Sequence, residues 1–153
     1  RSTPKPSSAA SDVYKRQLSV KSSEKLNSKN ILCNKAKILQ ASVSDMPFDD
    51  NTFDNITAVE TYYFWPDKEN DVKEVFRVLK QGGTVMLLFE MLRTDDDPFK
   101  WEKVENMLNI KSVTPQEIRS VLESAGFENI NTYTKEGTTW LCATAQKPKD
   151  DEN

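Results

Sequence analysis

The sequence contains no histidine among its 153 residues and only two cysteines. The missing imidazole excludes the commonest general base, the commonest metal ligand and every nucleophile that a neighbouring histidine would activate. Cys33 and Cys142 are too few for a disulfide scaffold and lack metal-binding spacing, so we expect a reduced, cytoplasmic chain that binds no metal.

Long apolar runs and an excess of positive charge are also missing. No stretch approaches the about 18 apolar residues that a membrane-spanning helix needs, so we expect no membrane partner. The net charge of −3 offers no basic surface for nucleic acid. Aromatic residues make up 9% of the chain and cluster in runs, which argues against general disorder and favours one globular domain.

The first 17 residues, RSTPKPSSAASDVYKRQ, differ in character from the rest. An Arg- and Ser-rich transit peptide is one interpretation. Back-translation favours another, because Ser7–Gln17 can be encoded by a transposase-based sequencing adapter read in frame. We therefore expect residues 1–17 to be a disordered, non-native segment, and sequence upstream of Leu18 to be missing. Residues 18–147 then form the C-terminal portion of one domain, and residues 148–153 form a flexible tail.

Apolar patterning in the middle of the chain predicts alternating strands and helices. Lys37–Val43 and Asn55–Trp65 are predicted strands, and the continuous apolar pattern of the second predicts burial on both faces. One helical face follows, which Gly82-Gly83 should end before the buried strand Thr84–Phe89. That face is formed by Val72, Val75, Phe76 and Leu79. Buried strands separated by helices favour a parallel α/β sheet.

The C-terminal third predicts a helix followed by a hairpin. Thr114 and Glu117 have the spacing of a capping box, with Pro115 suited to the first helical turn. Two predicted strands, Asn129–Thr134 and Thr138–Ala145, are joined by a short turn that contains Gly137, which favours an antiparallel hairpin.

Two phrases together resemble the class I S-adenosylmethionine-dependent methyltransferases. The first is SVSDMPFDDNTFDNITAVETYYFWPD, and the second is EVFRVLKQGGTVML at Glu74–Leu87, where Gln81 replaces the family's usual proline. The resemblance spans Lys37–Lys147. It implies an incomplete Rossmann-like sheet in which strands 3 to 7 of the order 3-2-1-4-5-7-6 are present and strands 1 and 2 are missing. The family's Gly-rich loop is also missing, since the chain has no Gly-x-Gly.

The same resemblance implies sites for S-adenosylmethionine. Ser42 and Val43 would receive the adenine, with Asp45 as an alternative acid that could equally be a solvated turn residue. Glu60 and Thr61 would lie beside the sulfonium, although Glu60 could instead be a strand-end acid facing water. Because its neighbouring strands in the family's sheet are missing, the segment Ile38–Val43 should either pair with Ile56–Tyr62 or stand detached.

An aromatic run follows the strand and could form the substrate pocket. Its members are Tyr62, Tyr63, Phe64 and Trp65. We expect two of the four to pack in the core instead, without being able to choose which. Arg93 and Asp95–Asp97 could line the acceptor side, but a charge run is more often a solvated loop.

These observations favour a fragment of a methyltransferase that acts on a small-molecule acceptor and is inactive by itself. Methyl transfer from a sulfonium depends mainly on orientation, and no catalytic residue is identifiable. The alternative is a non-catalytic α/β interaction domain that never had the Gly-rich loop.

Overall fold

The computed structural model describes residues 8–149, which form two compact units that divide between Ala41 and Ser42. The first unit contains two helices, α1 (Ser8–Leu26) and α2 (Ser28–Leu32). The second unit contains, in chain order, β1 (Phe53–Val59), a 3-10 turn (Tyr62–Phe64), α3 (Lys68–Val78), β2 (Leu79–Phe89), α4 (Glu102–Leu108), α5 (Pro115–Ser124), β3 (Glu128–Thr134) and β4 (Leu141–Gln146).

Helix α1 covers part of the segment that the sequence predicted to be a disordered adapter peptide. Residues 1–7 lie outside the described residues, whereas Ser8–Gln17 form the first half of α1. The structure therefore has helix where disorder was expected, and the origin of the segment stays a prediction. Of the predicted tail, Pro148 is described and its carbonyl oxygen accepts a hydrogen bond from the Gly82 N–H at 3.3 Å.

The second unit is built on a mixed four-stranded sheet with the order β1-β2-β4-β3. Strands β1 and β2 pair in parallel, and β4 pairs antiparallel with both β2 and β3. This confirms an α/β fold with a partial Rossmann-like sheet and a C-terminal antiparallel hairpin. The apolar faces of α3 and α5 share one hydrophobic core with the sheet, which buries Val72, Val75, Val85, Leu87, Phe89, Ile118, Leu122, Leu141 and Ala143.

Both core helices begin at a residue whose side chain caps the first turn, and for α5 this residue is the predicted Thr114. The Asp67 carboxylate accepts the Asn70 N–H at the start of α3. At the start of α5, the Thr114 hydroxyl accepts the Glu117 N–H, and the Glu117 carboxylate accepts the Thr114 N–H in return. This reciprocal pair is the predicted capping box, and it satisfies donors that a helix start otherwise leaves unpaired.

The predicted strand Lys37–Val43 is wrong. Residues 37–41 adopt neither helix nor strand, and Ser42 forms only an isolated bridge with Asp45. A β-strand needs a hydrogen-bonded neighbour, and the four-stranded sheet of the described residues does not include this segment. Of the two arrangements expected for Ile38–Val43, pairing with Ile56–Tyr62 is not found, because β1 pairs only with β2 among the described residues.

The predicted strand Asn55–Trp65 is correct only in its first half. Strand β1 ends at Val59, and Tyr62–Phe64 form a 3-10 turn. Burial on both faces is also wrong, since β1 is an edge strand and Val59 is 49% exposed. The aromatic side chains had supplied the continuous apolar pattern, and they follow the point at which the chain leaves the sheet, where only Tyr62 and Tyr63 are buried.

Gly82 and Gly83 do not end α3, contrary to the prediction. The helix ends at Val78, because Leu79 turns to an extended conformation and begins β2, where it pairs with Phe53. Gly83 lies within β2, where a Cβ atom would stand 2.9 Å from the Asp54 carbonyl oxygen and 2.7 Å from that of Lys80. The glycine is therefore required by close strand approach rather than by a helix end.

The Lys147 side chain links the end of the hairpin to the C-terminal end of α3 through hydrogen bonds. Its Nζ donates to the carbonyl oxygens of Phe76 and Leu79 at 2.8 and 2.9 Å and to Asn51 Oδ1 at 2.9 Å. The side chain is buried and also lies over the Phe76 ring. A cation at the C-terminal end of a helix satisfies unpaired carbonyl groups and is favoured by the helix dipole.

Candidate functional site

The carboxyl ends of β1 and β2 lie side by side, because the strands pair in parallel with Val59 opposite Leu88. Each strand is followed directly by a glutamate, Glu60 after β1 and Glu90 after β2. Ligands of open α/β sheets bind at this edge. The structure therefore places Glu60 at the edge where a ligand is expected.

The backbone of Glu60 is held in an uncommon conformation. Its φ angle is 56°, in the left-handed region that residues other than glycine, asparagine and aspartate rarely adopt. Its N–H donates to the Leu88 carbonyl oxygen at 3.0 Å, which ties the strained residue to β2. Such backbone strain is concentrated at ligand sites, where the surrounding structure enforces it.

The side chain of Glu60 is incompletely satisfied. Its Oε1 atom is buried, and no hydrogen-bond partner reaches it from the described part of the chain. Burial raises the pKa of this carboxyl group, the Glu90 charge raises it further, and hydrogen bonding to the Glu90 backbone opposes the rise. A buried acceptor without a donor is costly, so a cationic or hydrogen-bond-donating ligand group would relieve it.

Thr61, the second residue predicted at the sulfonium end, is exposed next to Glu60. Its carbonyl oxygen accepts the Phe64 N–H at 3.0 Å and so begins the 3-10 turn. The turn redirects the chain away from the sheet, which separates Thr61 at the surface from the aromatic residues that follow.

The aromatic run divides into two pairs. Tyr62 and Tyr63 are buried, and both pack edge-on against Phe89. The Tyr63 hydroxyl accepts the Met91 N–H at 2.9 Å, which joins the segments that follow β1 and β2. Phe64 is 60% exposed and Trp65 is half-buried. Tyr62 and Tyr63 are thus the two core residues that the sequence could not identify.

Ser42 and Val43, predicted at the adenine, lie in a tight turn. The Ser42 carbonyl oxygen accepts the Asp45 N–H at 3.3 Å, and its hydroxyl accepts the Ser44 N–H at 3.2 Å. Ser42 and Asp45 are exposed, whereas Val43 packs partly buried against the main hydrophobic core. The side chain of Val43 therefore anchors the turn.

A pair of residues that sequence reasoning missed holds the loop after this turn. The Met46 N–H donates to Glu74 Oε1 at 2.9 Å, and Arg77 donates to the carbonyl oxygens of Met46 and Phe48. Arg77 also forms an ion pair with Asp50. Only the i, i+3 spacing of Glu74 and Arg77 on a predicted helix signalled an interaction.

Sequence reasoning also missed a cavity of about 210 Å³ beside Tyr62. Its walls come from four separate segments, and its lining residues are Tyr62, Lys68, Lys111, Ser112, Val113, Glu117 and Ile118. Of the charge run predicted as a solvated loop, Asp95–Asp97 are exposed, whereas Arg93 forms an ion pair with Glu117 next to this cavity. No linear motif could have joined residues so far apart in the sequence.

Neither a metal-binding cluster nor a membrane-spanning helix is present in the described part of the chain. Within residues 8–149, no three histidine, cysteine, aspartate or glutamate side chains are arranged to hold a metal ion. None of the helices in that range combines the length and the apolar character needed to cross a membrane.

The sequence matches the family model described as a methyltransferase domain over residues 6–87. The methyltransferase YdaC of Bacillus subtilis is 29% identical over 81% of this chain and 64% of its own length. The ubiquinone/menaquinone biosynthesis C-methyltransferase UbiE of Cronobacter sakazakii is 32% identical over 74% of this chain and 54% of its own.

A solved S-adenosylmethionine-dependent methyltransferase from Thermotoga maritima shares the fold with a TM-score of 0.63. Its sequence is 21% identical, and the match covers 74% of this chain and 65% of that one. The chain thus spans between about half and two thirds of the length of these relatives.

Proposed function

Since the chain belongs to the methyltransferase-domain family, we propose that it forms the part of an S-adenosylmethionine-dependent methyltransferase that meets the sulfonium and the acceptor. The cofactor supplies a methyl group on a positively charged sulfur. The acceptor is proposed to be a small molecule, as the names of quinone and sterol methyltransferases among the relatives suggest.

The observation that carries this proposal is the buried, unpartnered oxygen of Glu60. It lies at the carboxyl end of β1, where its strained backbone is tied to Leu88 of β2. A carboxylate in a partly desolvated position attracts a cation more strongly than one in water. The residue therefore fits a sulfonium, and Thr61 beside it would face the same ligand.

Other features support the same assignment. We propose that β1, β2, β4 and β3 correspond to the family's strands 4, 5, 7 and 6, whose order the observed sheet follows. The turn at Ser42 and Val43 would then receive the adenine through the Val43 backbone, while the Ser42 hydroxyl replaces the acid common there. The Glu74 and Arg77 side chains fix the following loop at Met46 and Phe48.

In this proposal, the residues of this chain orient the acceptor and the methyl group and exclude water from them, and none of these residues transfers a proton. Methyl transfer is an in-line displacement, for which holding acceptor and methyl in line supplies much of the rate. Phe64 and Trp65 are the members of the aromatic run that remain exposed enough to contact an acceptor. An acceptor that must lose a proton would need a base, and no residue of this chain is assigned to that role.

We further propose that this chain binds the cofactor weakly and is inactive by itself. Its glycines stand at positions 82, 83, 126 and 137, so that no Gly-x-Gly loop is available to cradle the cofactor's methionine end. Glu60, Thr61, Ser42 and Val43 would then provide only part of the contact surface.

An NMR titration of the whole ¹⁵N-labelled chain tests the cofactor site even at weak affinity. S-adenosylmethionine carries the positive sulfur, whereas S-adenosylhomocysteine has a neutral thioether and is otherwise nearly identical. We expect shifts at the amides of Val43, Glu60 and Thr61 and tighter binding of the cationic ligand. Glu60→Gln should remove that preference, and Glu128→Gln, at an exposed position of β3, should retain it.

The outcomes separate the proposal from its alternative. A preference for the cationic ligand that survives in Glu60→Gln would contradict the role given to Glu60. Absence of any shift with either ligand at millimolar concentration would favour the non-catalytic interaction domain. Micromolar binding by the unaltered chain would contradict the claim that a Gly-rich loop is needed.

A further inference from the structure

The cavity beside Tyr62 lies between the first turns of two helices. Lys68 is the first residue of α3, Glu117 and Ile118 belong to the first turns of α5, and Lys111 precedes α5. Its volume of about 210 Å³ is below the about 300–1,000 Å³ of typical ligand sites. The cavity therefore suits one polar group or a very small molecule, not a ring system with a long tail.

Three hydrogen-bond donors belong to residues that line this cavity and have no acceptor among the described residues. The ammonium groups of Lys68 and Lys111 form no ion pair or hydrogen bond with any residue in the range 8–149, although Lys68 Nζ lies 5.5 Å from the Tyr62 ring centroid. The Tyr62 hydroxyl likewise has no hydrogen-bond partner in that range.

The acceptors of the cavity wall are already engaged. Glu117 accepts the Thr114 N–H at 2.8 Å and also forms an ion pair with Arg93. The Ser112 hydroxyl donates to Glu105 at 2.6 Å. The groups that remain free to bind a ligand are therefore donors, two of them positively charged.

Three carboxylates also lie around Tyr62, and of these only Glu117 lines the cavity. Burial, together with the charges of Glu117, Asp71 and Glu69, raises the pKa of Tyr62 to about 12. The hydroxyl consequently keeps its proton and remains a donor. Asp71 Oδ2 accepts the Asp67 N–H, whereas Asp71 Oδ1 is buried without a hydrogen-bond partner in the described part of the chain. Neither Asp71 nor Glu69 lines the cavity.

The position of Lys68 is unfavourable for its own helix. A cation in the first turn opposes the helix dipole, whereas acids are preferred there, as Glu69 and Asp71 illustrate. The Tyr62 ring, whose centroid lies 5.5 Å from Lys68 Nζ, offsets part of this cost. An anion in the cavity would offset it further, since it would pair with Lys68 and Lys111 together.

We propose that this cavity binds an oxyanionic group of the methyl acceptor, a carboxylate or a phosphate ester. The assignment of the group to the acceptor rests on the proposed methyltransferase function. The lysines would supply charge, the Tyr62 hydroxyl would fix orientation, and Val113 and Ile118 would form the apolar floor. Acceptors of this class are small acids, in contrast to neutral quinones or sterols.

The test uses the whole ¹⁵N-labelled chain and three probes at constant ionic strength: acetate, methyl phosphate and neutral acetamide. We expect acetate or methyl phosphate to shift the amides of Tyr62, Lys68, Ser112 and Val113, with acetamide causing no saturable change. A stronger response to acetate would identify a carboxylate, and a stronger response to methyl phosphate a phosphate ester.

Charge-removing variants give the decisive comparison. The double variant Lys68→Met/Lys111→Met should weaken anion binding about fivefold or more, a size consistent with partly exposed ion pairs. The matched control Lys73→Met/Lys103→Met removes two exposed lysines outside the cavity and should bind as the unaltered chain does. Equal weakening in both double variants, or equal shifts with acetamide, would overturn the proposal.

The cofactor titration separates this inference from the proposed function. Anion binding at the cavity without any response to S-adenosylmethionine would retain the oxyanion site and overturn its link to a methyl acceptor. Cofactor binding without an anion response at the cavity would overturn the subsite alone.

Discussion

Arg77 forms a two-point hydrogen bond with Glu74, one turn earlier on α3: Nε donates to Oε2 and Nη2 donates to Oε1, each at 2.7 Å. The same Glu74 Oε1 accepts the Met46 N–H, and Arg77 donates to the carbonyl oxygens of Met46 and Phe48. The pair thereby joins two stretches that lie nearly thirty residues apart. The loop at Met46 and Phe48 is thereby held against α3.

Arg77→Lys should destabilise the second unit, because lysine retains the charge but cannot reproduce the planar fork that contacts Glu74 and two carbonyl groups. Urea unfolding followed by fluorescence measures the change in the free energy of unfolding. The same substitution at Arg119, whose partner Glu123 lies 3.9 Å away on the exposed face of α5, should cost less than about 0.5 kcal/mol. Equal losses at both positions would contradict the bridging role.

The sequence was sufficient wherever one local pattern controls the structure. The Thr114–Glu117 capping box, the buried face of α3 and the C-terminal hairpin all follow from residues close in the chain. The sequence was insufficient where the local structure depends on contact with a residue that is distant along the chain. Strand β1 ends at Val59 because Glu60 adopts a left-handed conformation and hydrogen bonds to Leu88, and no local propensity indicates that.

The candidate site shows the same division. Glu60 and Thr61 follow one strand, so their location at the carboxyl edge of the sheet could be predicted from the chain order. The cavity beside Tyr62 could not, because Lys68 and Lys111 meet only through the packing of α3 against α5. Burial of Tyr62 and Tyr63, rather than Phe64 and Trp65, depends on contact with Phe89.

Lys147→Met should destabilise the protein by about 2–3 kcal/mol. The substitution keeps an apolar stem over Phe76, but it leaves the carbonyl oxygens of Phe76 and Leu79 without their charged donor. Chemical unfolding measures the loss. Lys135→Met, at an exposed position in the hairpin turn, should change the stability by less than about 0.5 kcal/mol and serves as the control.

Tyr63→Phe should cost about 1–3 kcal/mol, because it leaves the Met91 N–H without an acceptor in a buried position. Faster hydrogen exchange at the Met91 amide should accompany the loss, and NMR measures both effects. Tyr133→Phe removes a hydroxyl from a side chain that is 57% exposed and should leave exchange at Met91 unchanged. Unaltered exchange in Tyr63→Phe would contradict the proposed link between the segments after β1 and β2.

Glu60→Gln should alter the pH dependence of stability in a defined direction. Burial raises the pKa of Glu60 from 4.5, so the folded protein holds this proton more tightly than the unfolded chain does. The stability that the protonated group contributes is complete below its unfolded pKa and is lost as the pH rises through the folded value. Glutamine does not titrate, so the variant should match the unaltered protein near about pH 4 and exceed its stability at about pH 7.

Unfolding free energies measured by urea denaturation at several pH values test this prediction. Glu136→Gln, at an exposed position of the hairpin turn, controls for the simple loss of a carboxylate. A difference between Glu60→Gln and the unaltered protein that does not change with pH would show that burial does not control this carboxyl group.

Glu60→Gly should stabilise the fold while weakening the response to a cationic cofactor. Glycine adopts a φ of 56° without the steric cost that a Cβ atom imposes, which can outweigh the extra freedom of the unfolded chain. We expect a gain of up to about 1 kcal/mol in urea unfolding. The preference for S-adenosylmethionine over S-adenosylhomocysteine should be lost at the same time. Glu128→Gly makes the same change in strand β3, outside the positive-φ positions, and should destabilise the protein. A stable Glu60→Gly variant that still prefers the cationic ligand would show that the strained glutamate does not serve the sulfonium.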